Sequence, residues 1–349
     1  MTNYLPLTLG LIIFSFLICS IFIVPFINFL YKIKLTRRKE APKNGKVPLF
    51  DKLHDIKVGT PVGGGVLIIA IVSILFVISF PLASYLGLYV KSAFSLKSEL
   101  FAIFFTFISF GILGLSDDLL KVFSKPSRGI LGLWFGLRRW QKFILQCVLG
   151  LFVGFFIYHF LGIHIINIPG INVVLDLGFF YIPFAAFVIV AFSNAFNITD
   201  GLDGLSTGLL LICLVVFGVI ATGNLDTPLL FFISLWIGCL ISFLYFNIWP
   251  ARVFLGDAGA LSFGATLAVI GLVTGKILAL VIVGGIFVVE AATSLIQIIG
   301  WKYLKRPIFP LAPIHHTFLA RGWKEPKIVM RAWILGILLA VFGLWLATM

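Results

Sequence analysis

The chain has 349 residues, of which 61% are apolar and only 11% are charged, and its mean hydropathy is +1.15. A soluble domain is nearer half apolar and a quarter charged, and a soluble protein of this length could not hide so much apolar surface in one core. The composition excludes the soluble, disordered and fibrous classes and predicts an all-α integral membrane protein, because its apolar runs are long enough to span the bilayer as helices.

Uninterrupted apolar stretches of roughly 17 to 25 residues predict a polytopic bundle of about ten transmembrane helices. Their predicted ranges are 7–31, 61–82, 100–116, 142–161, 179–196, 206–222, 229–248, 258–275, 277–300 and 328–348. Glu290 lies within the ninth range, so that helix is expected to be broken or to face the protein interior. Pro61 and Pro326 are expected in first helical turns, where the missing N–H of proline costs nothing. We expect the whole chain, 1–349, to form a single transmembrane domain.

The basic residues indicate how this bundle is oriented. All but three of the 26 Lys and Arg residues lie in loops near 32–57, 117–142, 197–205, 249–257 and 301–331. The three exceptions, Lys91, Lys97 and Lys276, lie on the opposite side. By the positive-inside rule the basic side is cytoplasmic, and both termini are extracytoplasmic. The net charge of +13 therefore reports membrane topology, and we expect no nucleic-acid partner.

Carboxylates gather on the same side of the membrane. Asp117, Asp118 and Lys121 form an Asp-Asp-x-x-Lys run where the third helix meets the cytoplasm. One interpretation is a helix-end salt bridge, since Lys121 lies about one turn from either carboxylate. The other is a site for a divalent metal or a metal-bridged phosphate, because two adjacent carboxylates at the bilayer edge repel each other and need a cation.

The segment from Asn194 to Leu205 is the most specific stretch in the chain. Amides and carboxylates recur there every three residues, beside two glycines that permit tight turns and close approach of a ligand to backbone N–H groups. These residues are Asn194, Asn197, Asp200, Gly201, Asp203 and Gly204. A turn with polar caps would need one such side chain, and the segment has four.

Two further clusters lie in later loops on this side. Asp257 stands between glycines and opens the eighth helix in the position of an N-cap. His315 and His316 lie in a proline-rich loop, where imidazole could hydrogen-bond a phosphate. Four oxygen- or nitrogen-bearing clusters on one face predict a hard-metal phosphate site.

Taken together, these segments resemble the polyprenyl-phosphate N-acetylhexosamine-1-phosphate transferase superfamily, and within it the phospho-N-acetylmuramoyl-pentapeptide transferases. The superfamily motifs are Asp117-Asp118-x-x-Lys121, the run from Asn194 to Leu205, and Gly256-Asp257-Ala-Gly259. The muramoyl motifs are Gly59-Thr60-Pro61, Pro313-Ile-His315-His316-x-Phe318 and the segment from Gly322 to Trp333. Three positions depart from the family pattern: Thr317 replaces a third histidine, Leu319 a glutamate and Ala260 a serine.

The resemblance implies transfer of phospho-MurNAc-pentapeptide from its UDP carrier to undecaprenyl phosphate, giving lipid I and UMP with Mg²⁺ required. This is the first membrane step of peptidoglycan synthesis, on which cell shape and cell division depend. The implied location is the bacterial cytoplasmic (inner) membrane, with the active site on its cytoplasmic face and membrane lipids as further partners. A homodimer is left open. The residues agree with this chemistry, since a carboxylate-held magnesium with nearby lysines would neutralise a diphosphate.

The resemblance also implies roles for individual residues. The expected catalytic residues are Asp117, Asp118, Asp257, His315 and His316, with Asp257 as the first choice of magnesium ligand and Asp117 and Asp118 as the others. The expected substrate-binding residues are Lys57, Lys121, Lys125, Asn194, Asn197, Asp200, Gly201, Leu202, Asp203, Asn247 and Phe254. Among these, Phe254 would stack on the nucleobase and Asp203 would accept a hydrogen bond from uracil.

Several alternatives stay open at this point. A sibling enzyme would transfer GlcNAc-1-phosphate from UDP-GlcNAc, an ion-coupled transporter would use the acids as an ion path, and an inactive homologue would explain the three departures. The reaction itself could be direct attack by the lipid phosphate or could pass through an aspartyl-phosphosugar intermediate on Asp117 or Asp118.

Overall fold

The computed structural model describes residues 4–37, 57–87, 89–123, 139–169 and 173–349. Within these ranges ten helices are long and apolar enough to cross a membrane, which confirms the predicted all-α polytopic bundle. The helices are α1 (Leu5–Lys32), α2 (Gly64–Tyr85), α3 (Leu96–Phe123), α4 (Arg139–Phe160), α5 (Tyr181–Thr199), α6 (Leu205–Gly223), α7 (Thr227–Asn247), α8 (Gly256–Val273), α9 (Ile277–Val283), α10 (Gly285–Ile299), α11 (Ile314–Ala320) and α12 (Glu325–Thr348). Two short strands, β1 (Ile165–Ile168) and β2 (Val173–Asp176), form an antiparallel hairpin between α4 and α5, which the sequence reading missed.

The ninth predicted helix consists of α9 and α10, separated at Gly284. Glu290 lies in α10 and is only 3% exposed, so the span is both interrupted and turned inward at its carboxylate. Pro326 lies in the first turn of α12 as expected. The expectation for Pro61 is wrong, because α2 begins only at Gly64 and Pro61 pairs as extended chain with Thr36.

Helix α8 lies at the centre of the bundle and is the most buried of the described spans. It packs against α2, α3 and α5, and its small residues allow neighbouring backbones to approach closely. The contact with α3 shows this most clearly, because a Cβ at Gly114 would collide with the backbone carbonyl of Asp257. This close approach places the C-terminal turns of α3 beside the first turn of α8.

Alternating helix directions bring many polar loops to one end of the bundle, which we call the site end. There α3, α5 and α7 end, while α4, α6 and α8 begin. The β1–β2 hairpin lies at the opposite end. That the site end is cytoplasmic, with both termini on the other side, stays a prediction.

Candidate active site

Three carboxylates, two lysines and one amide meet at the site end and form what we call the acid–lysine cluster. Its members are Asp117, Asp118, Lys121, Lys142, Asn197 and Asp257. Lys121 Nζ lies 2.9 Å from Asp117 Oδ2 and 2.6 Å from Asp257 Oδ2. Lys142 Nζ, from the first turn of α4, lies 3.0 Å and 2.5 Å from the same two oxygens. Two carboxylates from different helices therefore share the same two cations.

Asp118 faces the backbone of α8 instead of the lysines. Its Oδ2 accepts a hydrogen bond from the Ala258 N–H at 3.1 Å, and its side chain is buried. Such a carboxylate satisfies one of the unpaired N–H groups at a helix start and is favoured by the helix dipole. Gly256 is required here, because its φ is +77° and a Cβ would lie 2.7 Å from Asp118 Oδ2. Asp118 thus anchors α3 to the start of α8.

The expectation that Asp257 is the N-cap of α8 is wrong. The helix begins at Gly256 and Leu255 occupies the cap position, so Asp257 lies within the first turn. Its carboxylate points between helices: Oδ2 faces the two lysines, and Oδ1 accepts a hydrogen bond from Asn197 Nδ2 at 2.9 Å. The side chain is therefore presented to neighbouring helices and not to its own.

The cluster has the donor chemistry of a magnesium site. Among the described residues no three Asp, Glu, His or Cys side chains are grouped closely enough to hold a metal by themselves. The Asp117 and Asp257 oxygens nevertheless converge on common cations, and Mg²⁺ is usually held by one or two protein carboxylates together with waters and substrate phosphates. The residues present fit that ion. Metal binding by Asp117, Asp118 and Asp257 stays a prediction.

A second buried group, which we call the Lys57 triad, consists of Lys57, Asp203 and Glu325. Lys57 Nζ lies 2.7 Å from Asp203 Oδ1 and 2.6 Å from Glu325 Oε1. The Asp203 backbone N–H donates to the same Glu325 oxygen at 2.6 Å, and Asp203 Oδ2 accepts from the Ala251 N–H at 2.9 Å. The triad joins the turn after α5, the loop before α8 and the first turn of α12.

His315 lies in the first turn of α11 and is oriented by Glu290. Its Nδ1 is 2.9 Å from Glu290 Oε2, and both side chains are buried. Because a carboxylate only accepts, Nδ1 carries the proton. The opposite atom, Nε2, has no hydrogen-bond partner and faces Gly201, where a Cβ would lie 2.5 Å from it. The His316 ring packs edge-on against His315, with centroids 4.0 Å apart.

Asp200 interacts electrostatically with members of both the acid–lysine cluster and the Lys57 triad. The Ser206 hydroxyl donates to its Oδ1, and burial raises the pKa of Asp200 to about 7. The charges of Asp257 and Asp203 also raise this pKa, and the charge of Lys57 lowers it. The acid–lysine cluster and the Lys57 triad are therefore parts of one polar region and not unconnected pockets.

Two of the expected substrate-binding amides make contacts within the scaffold. Asn194 donates to Gln146 Oε1 at 2.7 Å and so connects α5 with α4. Asn247 donates to the Val253 carbonyl at 2.9 Å and accepts from the Thr207 hydroxyl at 3.0 Å. These bonds hold the helices and the loop before α8, and a direct role in substrate binding stays a prediction.

Three other residues that were expected to bind substrate differ in their exposure and in whether the structure describes them. Leu202 is 3% exposed and packs in the core. Phe254 is partly exposed, its backbone forms a bridge with Val62, and the Arg37 guanidinium lies 5.9 Å from the centroid of its ring. Lys125 lies outside the described residues. Of these, the partly exposed ring of Phe254 is suited to stacking on a base.

Sequence reasoning missed two site residues. Lys142 belongs to the basic segment 117–142 and Glu325 to the segment from Gly322 to Trp333, and neither position by itself predicts a role in the site. Each is one of several charged residues at the start of a long apolar helix, a pattern that also fits residues at the membrane interface. Only the contacts with Asp257 and Lys57 distinguish them.

One departure from the family pattern has a structural explanation. Thr317 is buried, and its hydroxyl donates to the backbone carbonyl of Leu311. The side chain at this position therefore stabilises the loop before α11 and leaves His315 and His316 as the imidazoles of the described site.

Comparison with known proteins finds one matching family description and many similar proteins. The profile described as glycosyl transferase family 4 matches residues 100–275. The phospho-N-acetylmuramoyl-pentapeptide-transferase of Bacillus velezensis is 34% identical over 96% of this chain and 96% of its own. The proteins of the same name from a Geobacillus species and from Clostridium novyi are 33% and 36% identical, covering 96% and 91% of this chain and 96% and 90% of their own.

Proposed function

The chain belongs to glycosyl transferase family 4 and, within it, to the phospho-N-acetylmuramoyl-pentapeptide-transferases, and on this basis we propose that it makes lipid I. It transfers phospho-MurNAc-pentapeptide from its UDP carrier to undecaprenyl phosphate and releases UMP. The observation that carries the proposal is the pair of lysines shared by Asp117 and Asp257 at one end of a membrane-spanning bundle.

In the proposed reaction, an oxygen of the lipid phosphate attacks the phosphorus attached to the sugar. The bond from that phosphorus to the bridging oxygen breaks, UMP leaves with the electron pair, and a new diphosphate joins lipid and sugar. The lipid phosphate needs little help from a base, because the second pKa of a phosphate is near 6. The main task of the protein is to neutralise and position the negative charge.

The acid–lysine cluster is suited to this task. Lys121 and Lys142 would neutralise the phosphate oxygens, while Asp117 and Asp257, with Asp118 behind them, would hold Mg²⁺. When bound, Mg²⁺ supplies further charge neutralisation over the diphosphate. In its doubly protonated form, His315 would donate from Nε2 to a diphosphate oxygen, while Glu290 holds the Nδ1–H on the other side of the ring.

The Lys57 triad and Phe254 would bind the nucleotide. Asp203 would accept the uracil N–H, Lys57 would face a uracil carbonyl, and the Phe254 ring would stack on the base. The site then lies where a water-soluble donor and a lipid-bound acceptor can meet, at the cytoplasmic face of the inner membrane. Gly201 links this nucleotide region to His315, because its carbonyl accepts from Lys57 and its Cα faces His315 Nε2.

The test is reconstitution of the purified full-length chain with UDP-MurNAc-pentapeptide, undecaprenyl phosphate and Mg²⁺, with UMP release and lipid product both measured. We expect turnover that stops when a chelator is added and resumes when Mg²⁺ is restored. A second arm replaces the donor with UDP-GlcNAc. Activity with UDP-GlcNAc alone would overturn the muramoyl assignment, and no activity with either donor would overturn the transferase assignment.

The same preparation separates the two reaction mechanisms. We propose direct attack by the lipid phosphate, because Asp117 is engaged by two lysines and Asp118 by the start of α8. Labelled UMP incubated with the UDP-sugar and enzyme, without any lipid, should then not exchange into the donor. Rapid exchange would require a covalent phosphosugar intermediate and would overturn direct attack.

A further inference from the structure

Glu325 is a buried carboxylate for which the reaction has no chemical use. It is 7% exposed, lies in the first turn of α12, and its Oε1 receives two donors. One donor is the Lys57 ammonium and the other is the backbone N–H of Asp203, each at 2.6 Å. A single carboxylate oxygen of Glu325 thus holds both Lys57 and Asp203, the two residues that would contact the base.

Three oxygen atoms surround the Lys57 ammonium, which has three N–H donors. Lys57 Nζ donates to Glu325 Oε1 at 2.6 Å and to the Gly201 carbonyl at 3.4 Å, and Asp203 Oδ1 lies 2.7 Å away as an ion-pair partner that accepts no hydrogen bond. The weakest of these is the longest, to Gly201. A ligand carbonyl can replace it without breaking either ion pair.

Charge gives Glu325 a second effect on the same residues. The triad contains one cation and two carboxylates, so it carries one net negative charge in a buried place. Because Lys57 is shared between two carboxylates, Asp203 keeps more of its charge and accepts hydrogen bonds more strongly. Without the charge of Glu325, Lys57 would pair with Asp203 alone, and Asp203 would be a poorer acceptor for a ligand N–H.

We infer that Glu325 is a positioning residue that sets the affinity for the uridine part of the donor, acting through Lys57 and Asp203 without touching the reacting phosphates. The inference rests on the proposed function in that Lys57 and Asp203 are taken as the contacts to the base. The inference gives the helices different roles: α12 contributes the carboxylate that acts on nucleotide affinity, while α3, α4 and α8 contribute the side chains that would bind the phosphates.

The test is the binding of UMP to the purified full-length chain by calorimetry with Mg²⁺ present, beside steady-state kinetics. Glu325→Gln keeps the shape and one acceptor oxygen but removes the charge, so we expect the Kd of UMP and the KM of the UDP-sugar to rise about tenfold. We expect kcat to stay within about twofold and the KM of the lipid phosphate not to change. Glu325→Asp keeps the charge and should recover part of the lost affinity.

Two further measurements exclude a purely structural role. Asp176→Asn removes an exposed carboxylate on the hairpin at the opposite end of the bundle, and its UMP affinity should equal that of the wild type. If Glu325→Gln lowers the unfolding temperature and kcat while the Kd of UMP is unchanged, Glu325 only holds the fold and the inference is overturned. The same conclusion follows if Glu325→Gln and the wild type bind UMP equally well.

Failure of the inference can be told apart from failure of the proposed function. A wild type that binds UMP but does not transfer the muramoyl group would refute the proposed function, while the effect of Glu325→Gln on UMP binding would still support the inference. A wild type that transfers normally but whose Glu325→Gln variant keeps its UMP affinity refutes the inference alone. A wild type that binds no UMP refutes both.

Discussion

Replacing Lys142 with methionine removes one of the two cations of the acid–lysine cluster and keeps a side chain of similar length. Lys142 Nζ lies 3.0 Å from Asp117 Oδ2 and 2.5 Å from Asp257 Oδ2, and its side chain is only 16% exposed. A preorganised electrostatic contact to a charge that develops in the transition state is worth roughly 3–4 kcal/mol. We therefore expect kcat to fall about 10²- to 10³-fold.

The assay is UMP release by the purified full-length chain with both substrates saturating. Lys142→Arg keeps the charge and should retain much more activity than Lys142→Met. The matched control is Lys97→Met, which removes an exposed lysine at the opposite end of α3 and should behave as the wild type. Loss of one partner costs roughly 3–5 kcal/mol for a fully buried ion pair and less for this partly buried one. The unfolding temperature of each variant must therefore be measured, and turnover compared where all of them are folded.

The outcome that contradicts this reasoning is specific. If folded Lys142→Met turns over within about threefold of the wild type, the transition state gains well under 1 kcal/mol from this ammonium. Lys142 would then only balance the charge of Asp117 and Asp257 in the resting protein. Lys121, which contacts the same two oxygens, would have to supply the neutralisation alone.

Three other outcomes are expected. Asp257→Ala should abolish measurable turnover, a loss of at least about 10³-fold, and normal activity in this variant would show that the metal assignment is wrong. Glu290→Gln should lower kcat about 10- to 100-fold, because His315 would lose its fixed orientation and a hydrogen bond to a charged group is worth roughly 1.5–3 kcal/mol. An unchanged kcat would mean that the His315 imidazole does not need this carboxylate as a partner. The pKa of Asp200 is raised by burial from 3.8 to about 7, so the folded protein binds this proton more tightly than the unfolded chain and stability should decrease as pH rises across that interval. The unfolding temperature, measured from pH 4 to pH 8, should fall less in Asp200→Asn than in the wild type, and equal slopes would refute this assignment.

Most of the fold could be predicted because a membrane imposes a local rule. Each span must be a long apolar run that satisfies its own backbone hydrogen bonds, and such runs are visible in the sequence without any tertiary knowledge. The errors lie where this rule does not apply. Helix α3 extends to Phe123, seven residues past its predicted end at 116, because Asp117 and Asp118 find partners inside the protein and do not need to leave the bilayer.

The aspartates of the candidate site could be predicted from the sequence, but Lys142 could not, because only the aspartates lie in a distinctive local motif. Asp117, Asp118, Asp203 and Asp257 stand in motifs dense in glycine and carboxylate, which few structural roles explain. Lys142 has no such surroundings, and its importance comes only from its contacts. The hairpin of β1 and β2 was missed because two four-residue strands between apolar helices leave little periodicity to detect.

The sequence by itself determined that the chain is a helical membrane protein, which residues lie in the polar loops, and which chemistry those residue types favour. These are properties of composition and of short segments. Apart from the local pair of Asp117 and Lys121, which the helical spacing already allowed, only the tertiary structure decided which charges pair. The partners are far apart in the chain: 115 residues separate Lys142 from Asp257, and 268 separate Lys57 from Glu325. Their meeting depends on close backbone contacts such as that of Gly114 with Asp257, and the packing of several helices at once sets those distances.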